Sequence, residues 1–480
     1  MAIPPSEVPE DRRIAERFDR SPWPARLFVL IALPITMMMA QIIPLGRMPD
    51  ETAHIIRADS IRHLQLIGRR KSSAAAYLLA DPAFQQIGFA LPLPPGPRHS
   101  LTVDILSVQK SARWVSPQEL FAPNTASYSP IMYLPAALGL ALGRATRASP
   151  YDSWIVARFF SAAAFLAIGV LALRTAPRWW IFTVLCLPMT LALASSVNPD
   201  ALSLAVLALS LALLERGDRR LLAVALMAIA IAQRPTLLPL SSLFLLPFNR
   251  WLHGSIKLLT RRLCEVSVAA LPSILWLALA QARATVGFVR TPAPYVPGPL
   301  WPGDPNVIFA TTDGSAQLKV LLAHPLLLMA LPLDTLLQEY WFKGKEVIGV
   351  LGALELQLPQ RVYIFALCGL LSAALADMTN PARKWPRPFD NVFSLAVLSS
   401  GALFTYLTMY LIWTPVGYPT IEGVQGRYAL PLLLAGLFAW PILPRRFARV
   451  APFAAGGATV ATGTVTLIWP ESVIQYFYVS

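Results

Sequence analysis

Long apolar runs alternate with short polar stretches along most of the chain. The first run, residues 27–45, is about as long as the ~20 residues that a helix needs to cross a bilayer. Similar runs follow at 152–173, 179–196, 200–214, 221–233, 235–248, 263–282, 360–376, 391–413, 428–443 and 450–469. The pattern predicts an all-α polytopic membrane protein with about eleven transmembrane helices.

Two other apolar segments, residues 128–144 and 320–340, are not counted as spans. The first is marginal in length and holds Pro130 and Pro135, so it suits a helix lying at the membrane interface. Counting only one of the two as a span would move later loops to the opposite side of the membrane. We expect both segments to stay on the outer side, because the basic clusters of the loops then all lie on one side of the membrane.

Basic residues fall in every second loop between the predicted helices. The clusters are Arg174/Arg178, Arg216/Arg219/Arg220, Arg250/Lys257/Arg261/Arg262, Arg383/Lys384/Arg387 and Arg445/Arg446/Arg449. Loops rich in Lys and Arg face the cytoplasm. The sequence therefore predicts a cytoplasmic tail (1–26), a transmembrane domain (27–470) with extracytoplasmic loops at 46–150 and 283–359, and an extracytoplasmic tail (471–480).

The composition supports a membrane protein and argues against both a soluble domain and nucleic-acid binding. Of the 480 residues 55% are hydrophobic and 14% are charged, whereas a soluble domain has about 25% charged residues. The net charge of +14 does not indicate nucleic-acid binding, because the basic residues lie in short clusters between apolar runs. That distribution is typical of loops facing the cytoplasm and anionic lipid.

Residues 46–57, directly after the first predicted helix, gather several chemically active side chains. Asp50 and Glu51 follow a proline, which suits the start of a helix. In that helix Asp50, His54 and Arg57 share one face, at i, i+4 and i+7. The alternative interpretation is a capped interfacial helix whose charges are merely solvated.

A second set of polar residues lies on the same predicted outer side. Asp200 and Arg234 are at turns between predicted helices, and Glu422, Gln425 and Arg427 open the tenth one. Asp200 also suits a helix cap, and Arg234 also suits a headgroup anchor. Arg427, flanked by glycine at the mouth of an apolar run, suits binding of an anionic group.

Six motifs occur in a recognisable order. They are P-D-E-x-x-H (Pro49–His54), Y-x-P-x-x-Y-x-P (Tyr128–Pro135), A-R (Ala157-Arg158), P-M…S-x-N-P-D (Pro188–Asp200), R-P (Arg234-Pro235) and G-V-Q-G-R-Y (Gly423–Tyr428). Their order resembles the bacterial multi-pass family called domain of unknown function 2142, which belongs with the GT-C class of membrane glycosyltransferases. The resemblance covers roughly residues 25–445.

The resemblance implies a GT-C-like fold in the bacterial cytoplasmic membrane, with the active site on the extracytoplasmic face. It implies an inverting transfer of a sugar from a polyprenyl phosphate to a glycan, lipid or protein acceptor. Asp50 or Glu51 would be the general base, with His54 and Arg57 orienting it or meeting phosphate. Such a transfer builds positive charge on the sugar and negative charge on the phosphate, so a carboxylate and a cation are the groups it needs.

The remaining candidates follow from the same resemblance. Arg427 and Arg234 would stabilise the departing phosphate, and Asp200 would be a second outer acid. On the acceptor side the candidates are Glu422, Gln425 and Tyr128.

Cofactor and class leave alternatives open. The resemblance implies no required cofactor, but Asp50, Glu51, His54 and Asp200 also have the ligand types of a Mg²⁺ or Mn²⁺ site. A transporter or flippase of a lipid-linked sugar stays open, although it predicts charges at mid-membrane and repeated halves. So do a glycan ligase or polymerase with a lipid-diphosphate donor, and a non-catalytic scaffold.

Overall fold

The computed structural model describes residues 21–91, 100–247, 256–288, 312–380, 383 and 387–479. Most of the predicted cytoplasmic tail lies outside the described residues. The same holds for Arg250 and Lys384 of the basic clusters and for residues 289–311 of the second long loop.

The described part of the chain is mainly helical. Its α-helices, numbered in chain order, are α1 (Trp23–Ile42), α2 (Glu51–Arg62), α3 (Ala83–Phe89), α4 (Val103–Ser111), α5 (Leu134–Ala145), α6 (Pro150–Thr175), α7 (Trp179–Leu185), α8 (Pro188–Ala194), α9 (Pro199–Arg216), α10 (Arg220–Gln233), α11 (Ile256–Arg283), α12 (Gly314–Ala323), α13 (Leu327–Gly349), α14 (Gln360–Met378), α15 (Pro388–Ile412), α16 (Leu430–Ala435) and α17 (Ala451–Tyr478). Short 3₁₀ helices lie at Ile131–Tyr133, Pro235–Leu245, Gly426–Ala429, Gly436–Phe438 and Arg445–Val450.

The predicted membrane helix bundle is confirmed, but the count of about eleven spans is not reached among the described residues. Six segments are long and apolar enough to cross a membrane: α1, α6, α11, α14, α15 and Arg445–Tyr478. Two bent pairs, α8 with α9 (113°) and α12 with α13 (106°), raise the number to eight if each pair is one span. The second pair covers the segment that the sequence placed at the outer surface.

Several predicted spans are shorter than a bilayer is thick. The 14 residues of α10 reach about 21 Å, against a hydrocarbon core of about 30 Å. Proline explains most of the breaks: Pro188 and Pro199 begin α8 and α9, and Pro235 begins a 3₁₀ helix. Every residue from 176 to 199 is buried, so these apolar residues face protein.

The structure is consistent with the predicted all-α class, but the first long loop also contains short strands that the sequence analysis did not predict. Residues 69–121 include an antiparallel sheet of β1 (Arg69–Ser72), β2 (Ala75–Ala80) and β3 (Gln118–Phe121), in that order. Alternate residues of β2 are buried, as expected for a strand with one covered face. Helix α2 packs against β2. A second, two-stranded ladder joins β4 (Val350–Leu351) to β5 (Leu356–Gln357).

One end of the bundle is defined by buried arginine–glutamate pairs, and we call it the basic end. Glu215 accepts hydrogen bonds from Arg178 at 2.9 Å and from Arg383 at 3.2 Å. Glu265 accepts hydrogen bonds from Arg220 at 2.6 Å and from Arg262 at 2.9 Å. The four arginines come from four of the predicted basic clusters, which therefore lie together.

The opposite end of the bundle carries the candidate site. Helix α9 begins beside Asp200 and ends at Arg216, and its 18 residues span about 27 Å. The loop after α1, the start of α6 and the start of α9 meet at this site end, where Arg158 of α6 pairs with Glu51 of α2.

Candidate functional site

Asp50 occupies an unusual backbone position between two anchored neighbours. Its φ of 59° is left-handed, a conformation that Asn and Asp tolerate better than most residues with a side chain. The carbonyl of the preceding residue, Pro49, accepts a hydrogen bond from Asn198 Nδ2 at 3.2 Å. The Asp50 side chain is 39% exposed, so it is the accessible member of the acidic pair.

Asp50 is the first member of a chain of four charged residues from distant parts of the sequence. Arg427 Nη2 donates to Asp50 Oδ2 at 2.7 Å, and Arg427 Nη1 lies 3.9 Å from Asp200 Oδ2. Arg234 Nη2 donates to both oxygens of Asp200, at 2.6 and 2.7 Å. We call Asp50, Arg427, Asp200 and Arg234 the Asp–Arg cluster. Its charges alternate, so each carboxylate meets a guanidinium.

The loop before Arg427 is fixed by close packing on α13. Gly426 N–H donates to Glu346 Oε2 at 2.6 Å. A Cβ at position 426 would lie 2.4 Å from the Glu346 Cβ and 2.5 Å from the Lys343 carbonyl oxygen, so only glycine allows this approach. The ring of Tyr428 packs under Arg234, with 4.3 Å between its centroid and Arg234 Cζ. These contacts hold both guanidinium groups in place.

The charges around Asp50 and His54 set their protonation. The Asp50 side chain is partly exposed, but the surrounding protein removes part of its hydration and so opposes its ionisation. The Arg427 charge and hydrogen bond outweigh this effect and lower the pKa of Asp50. Burial lowers the pKa of His54 to about 4, against the opposite influence of the Asp50 and Asp200 carboxylates. At neutral pH the cluster thus has an ionised Asp50 beside a neutral imidazole.

His54 lies beneath the cluster as part of an aromatic layer. Its Nδ1 is 2.8 Å from the Tyr133 hydroxyl, and its ring centroid is 6.0 Å from that of Tyr128. Burial also raises the pKa of Tyr128, which keeps the phenol protonated. The structure therefore brings His54 and Tyr128 to the cluster, as neutral groups.

Glu51 points away from Asp50 into the protein. Its carboxylate is fully buried and accepts hydrogen bonds from Arg158 Nε at 2.7 Å and Arg158 Nη2 at 2.6 Å. It also accepts from Trp154 Nε1 at 3.2 Å and from the backbone N–H groups of Gly46 and Val197 at 3.1 and 3.3 Å. Both oxygens are thus occupied by protein donors.

Arg57 is likewise used inside the protein. Its guanidinium is fully buried and donates to the carbonyl oxygens of Gln65, Leu66 and Tyr128, at 3.0, 2.5 and 2.8 Å. These bonds tie the end of α2 to the loop before α5. The structure does not bring Arg57 into the Asp–Arg cluster.

The residues before Arg427 lie beside an apolar groove. The groove, a cavity of about 230 Å³, runs between α13, α15 and residues 424–432. Its lining is Leu336, Tyr340, Lys343, Gly344, Val347, Ala402, Thr405, Tyr406, Val424, Gln425, Gly426, Tyr428, Ala429 and Leu432. Gln425 is therefore a groove residue, whereas the Glu422 backbone N–H donates to Thr414 Oγ1 at 3.0 Å.

The residues suggested for a Mg²⁺ or Mn²⁺ site do not fit one. Both oxygens of Glu51 are bonded to Arg158, and both oxygens of Asp200 are bonded to Arg234. His54 uses Nδ1 inside the protein. Within the described ranges, no group of three or more His, Cys, Asp or Glu side chains is placed to hold a metal ion.

Two residues that shape the site are not among the candidates from the sequence. Arg158 neutralises the charge of Glu51. Asn198 links the backbone before Asp50 to the backbone of Asp200, since its Nδ2 donates to Pro49 O and its Oδ1 accepts from Asp200 N–H. The signal for Arg158 was present: an arginine inside an apolar run requires a partner. Asn198 lies in the S-x-N-P-D motif beside Asp200, but an asparagine before proline also suits an ordinary N-cap, so the motif alone does not predict its contact with Pro49.

Comparison with known proteins identifies the family of this chain. A family model described as "Predicted membrane protein (DUF2142)" matches residues 33–435. No curated protein and no solved structure match the chain. The match confirms the DUF2142 family that the motifs indicated, and its description names neither an activity nor the GT-C class.

Proposed function

Because this chain belongs to the DUF2142 family of predicted membrane proteins, we propose its activity from the site itself. The proposed function is a GT-C-type membrane glycosyltransferase. It moves a sugar from a polyprenyl phosphate to a hydroxyl of an extracytoplasmic glycan, lipid or protein, with inversion at the anomeric carbon. The enzyme acts in the bacterial cytoplasmic membrane, at the extracytoplasmic face.

One observation carries this proposal: an accessible carboxylate and a buried guanidinium meet beside an apolar groove. Asp50 and Arg427 are 2.7 Å apart, and the groove lining includes both sequence neighbours of Arg427. A polyprenyl phosphate has the matching parts, an anionic head and a long apolar tail. Burial of apolar surface favours binding of the tail at about 25 cal/mol per Å², while the cationic side chain selects the phosphate.

The chemistry assigns one task to each charged group. Asp50 takes the proton from the acceptor hydroxyl as its oxygen attacks the anomeric carbon. The bond from that carbon to the phosphate oxygen breaks, and its electron pair stays on the phosphate. Arg427 and Arg234 stabilise the negative charge that develops there. A phosphate leaves without protonation, so one base and two cations complete the set.

The two acids after α1 are assigned different roles by their surroundings. A general base must reach the proton that it removes, and Asp50 is 39% exposed. Glu51 is fully buried and bonded to Arg158. We therefore assign the base to Asp50 and a structural role to Glu51.

The transporter alternative predicts charged groups near the centre of the membrane. The Asp–Arg cluster instead lies where α9 begins, at the site end of the bundle. A lipid-diphosphate donor, as in a glycan ligase or polymerase, would use the same cluster with a different leaving group.

The test is donor turnover by the purified full-length chain in proteoliposomes with a panel of polyprenyl-phosphate sugars. Release of polyprenyl phosphate is measured with and without candidate acceptors. Asp50→Asn should lower turnover by about 10²–10⁴-fold, the usual contribution of a positioned base. Arg427→Gln should lower it by about 10²–10³-fold, as loss of one charge-stabilising donor does.

Asn is the appropriate replacement because it tolerates the left-handed backbone of Asp50. Asp104→Asn is the matched control, since it removes one exposed acid from the same long loop outside the cluster. Donors turned over equally well by wild type, Asp50→Asn and Arg427→Gln would overturn the proposed function.

A further inference from the structure

The Arg427 guanidinium has a single close charged partner. Its Nη2 donates to Asp50 at 2.7 Å, and its Nη1 has only a 3.5 Å bond to Pro49 O and lies 3.9 Å from Asp200. Its buried Nε has no hydrogen-bond partner among the described residues. Asp200 makes its short bonds to Arg234 instead. Arg427 therefore retains donor capacity, but its Nη2 is occupied by Asp50.

A phosphate and the Asp50 carboxylate would need the same donors. Guanidinium groups bind phosphate best through two parallel N–H groups, and one of the two Nη atoms of Arg427 is already bonded to Asp50. Two anions on one guanidinium also repel each other. Asp50 has the freedom to leave, since its side chain is 39% exposed and the Arg427 hydrogen bond is its sole side-chain bond within the described residues.

We propose that the donor phosphate displaces Asp50 from Arg427, so that Asp50 becomes an effective base only when the donor is bound. This inference rests on the proposed function and adds its regulation. In the resting protein the carboxylate is held by Arg427 and is a weak base. Once phosphate takes the guanidinium, the groups that still lie near Asp50 are His54, which is neutral at pH 7 because burial lowers its pKa to about 4, and the Asp200 carboxylate, which raises the pKa of Asp50.

The exchange gives the reaction an order. Without donor the base is engaged and the phosphate site is filled by a protein carboxylate. When the donor binds, the displacement releases the carboxylate of Asp50 as the base and places the phosphate on Arg427. The donor is then the first substrate to bind, and the acceptor is activated only beside a bound sugar.

The test measures binding alone, with a polyprenyl phosphate methyl ester as the probe. This phosphodiester has the single negative charge of a sugar donor but no sugar to transfer. Its dissociation constant is measured for the full-length chain in detergent micelles. Asp50→Asn should bind it about tenfold more tightly, equivalent to ~1.4 kcal/mol, because the competing anion is gone. Arg427→Gln should bind it more weakly, and Asp104→Asn should match the wild type.

A double variant separates competition at Arg427 from a general change of charge. In the Arg427→Gln background, Asp50→Asn should no longer tighten binding, since the two anions have nothing left to compete for. Asp50→Gly, which also accepts a left-handed backbone, replaces Asp50→Asn if that variant fails to fold. Equal or weaker binding by the Asp50 variants, with Arg427→Gln still impaired, refutes the exchange and leaves the proposed function standing. Equal binding by wild type and Arg427→Gln refutes the phosphate site and the proposed function with it.

Discussion

Replacing Glu51 by glutamine tests whether this acid is structural. Glutamine keeps the size of the side chain but removes its charge and turns one acceptor oxygen into a donor group. Whichever way the amide lies, an N–H donor would face protein donors, since Arg158 bonds to both oxygens. Arg158 would stay in place, because its Nη1 also donates to the carbonyls of Ala40 and Ile43 at 3.0 and 2.6 Å.

The expected loss is large because both partners are fully buried. Removing one partner of a buried ion pair costs about 3–5 kcal/mol, as it leaves an uncompensated charge. Glu51→Gln should therefore lower the free energy of unfolding by about 3–5 kcal/mol. The double variant Glu51→Gln/Arg158→Gln should lose less than the sum of the two single losses, because the second change removes the unpaired charge.

The assay is reversible unfolding in mixed micelles with increasing denaturing detergent, followed by tryptophan fluorescence. Asp104→Asn is the matched control: it also replaces an acid of the first long loop by its amide, but Asp104 is exposed, so this variant should stay within about 1 kcal/mol of wild type. If Glu51→Gln unfolds like wild type yet abolishes sugar transfer, Glu51 takes part in the chemistry and the structural assignment is wrong.

Three further predictions follow from other parts of the molecule. Gly344→Trp should fill the apolar groove and raise the donor KM. Gly456→Trp is the matched control and should leave the donor KM unchanged, since neither glycine has a neighbour within 4 Å of an added Cβ but only Gly344 lines the groove. Equal kinetics in both variants would argue against the groove as the binding site of the prenyl tail. The pKa of His54 is about 4 in the folded chain and 6.5 in the unfolded chain, so the unfolded chain binds more protons between these pH values. The free energy of unfolding should therefore fall by up to about 3 kcal/mol as the pH drops from 6.5 to 4. An equally steep fall in His54→Gln would contradict this prediction. Arg57→Gln should lower the free energy of unfolding by about 2–3 kcal/mol, because it leaves buried carbonyl oxygens without a hydrogen-bond donor. Turnover per folded molecule should be retained. A loss of turnover without a loss of stability would instead place Arg57 in the reaction.

The proximity of Asp50 and Arg427 could be predicted because both lie beside an apolar run on one predicted side of the membrane. Asp50 and Arg427 are 377 residues apart in sequence, yet both follow or open an apolar run on the same predicted side. The different fates of Asp50 and Glu51 could not be predicted. A left-handed residue turns adjacent side chains in directions that a regular helix does not allow, and residue type alone does not reveal that backbone state.

The fold was predictable in class but not in detail. Hydropathy identifies apolar segments without showing whether lipid or protein covers them, so the buried helices α7–α9 were counted like lipid-facing spans. The sheet in the first long loop was missed because its strands are only 4–6 residues long, too short for a clear period of two.

The short helix α10 also bears on how the protein is made. A segment such as Arg220–Gln233, with 14 residues, offers the insertion machinery less apolar length than the ~20 residues of an independent span. It packs against Ile256–Arg283, which is synthesised later. We therefore expect Arg220–Gln233 to reach its final position in the membrane only after Ile256–Arg283 has been synthesised. Biogenesis of this region then depends on sequence that follows it.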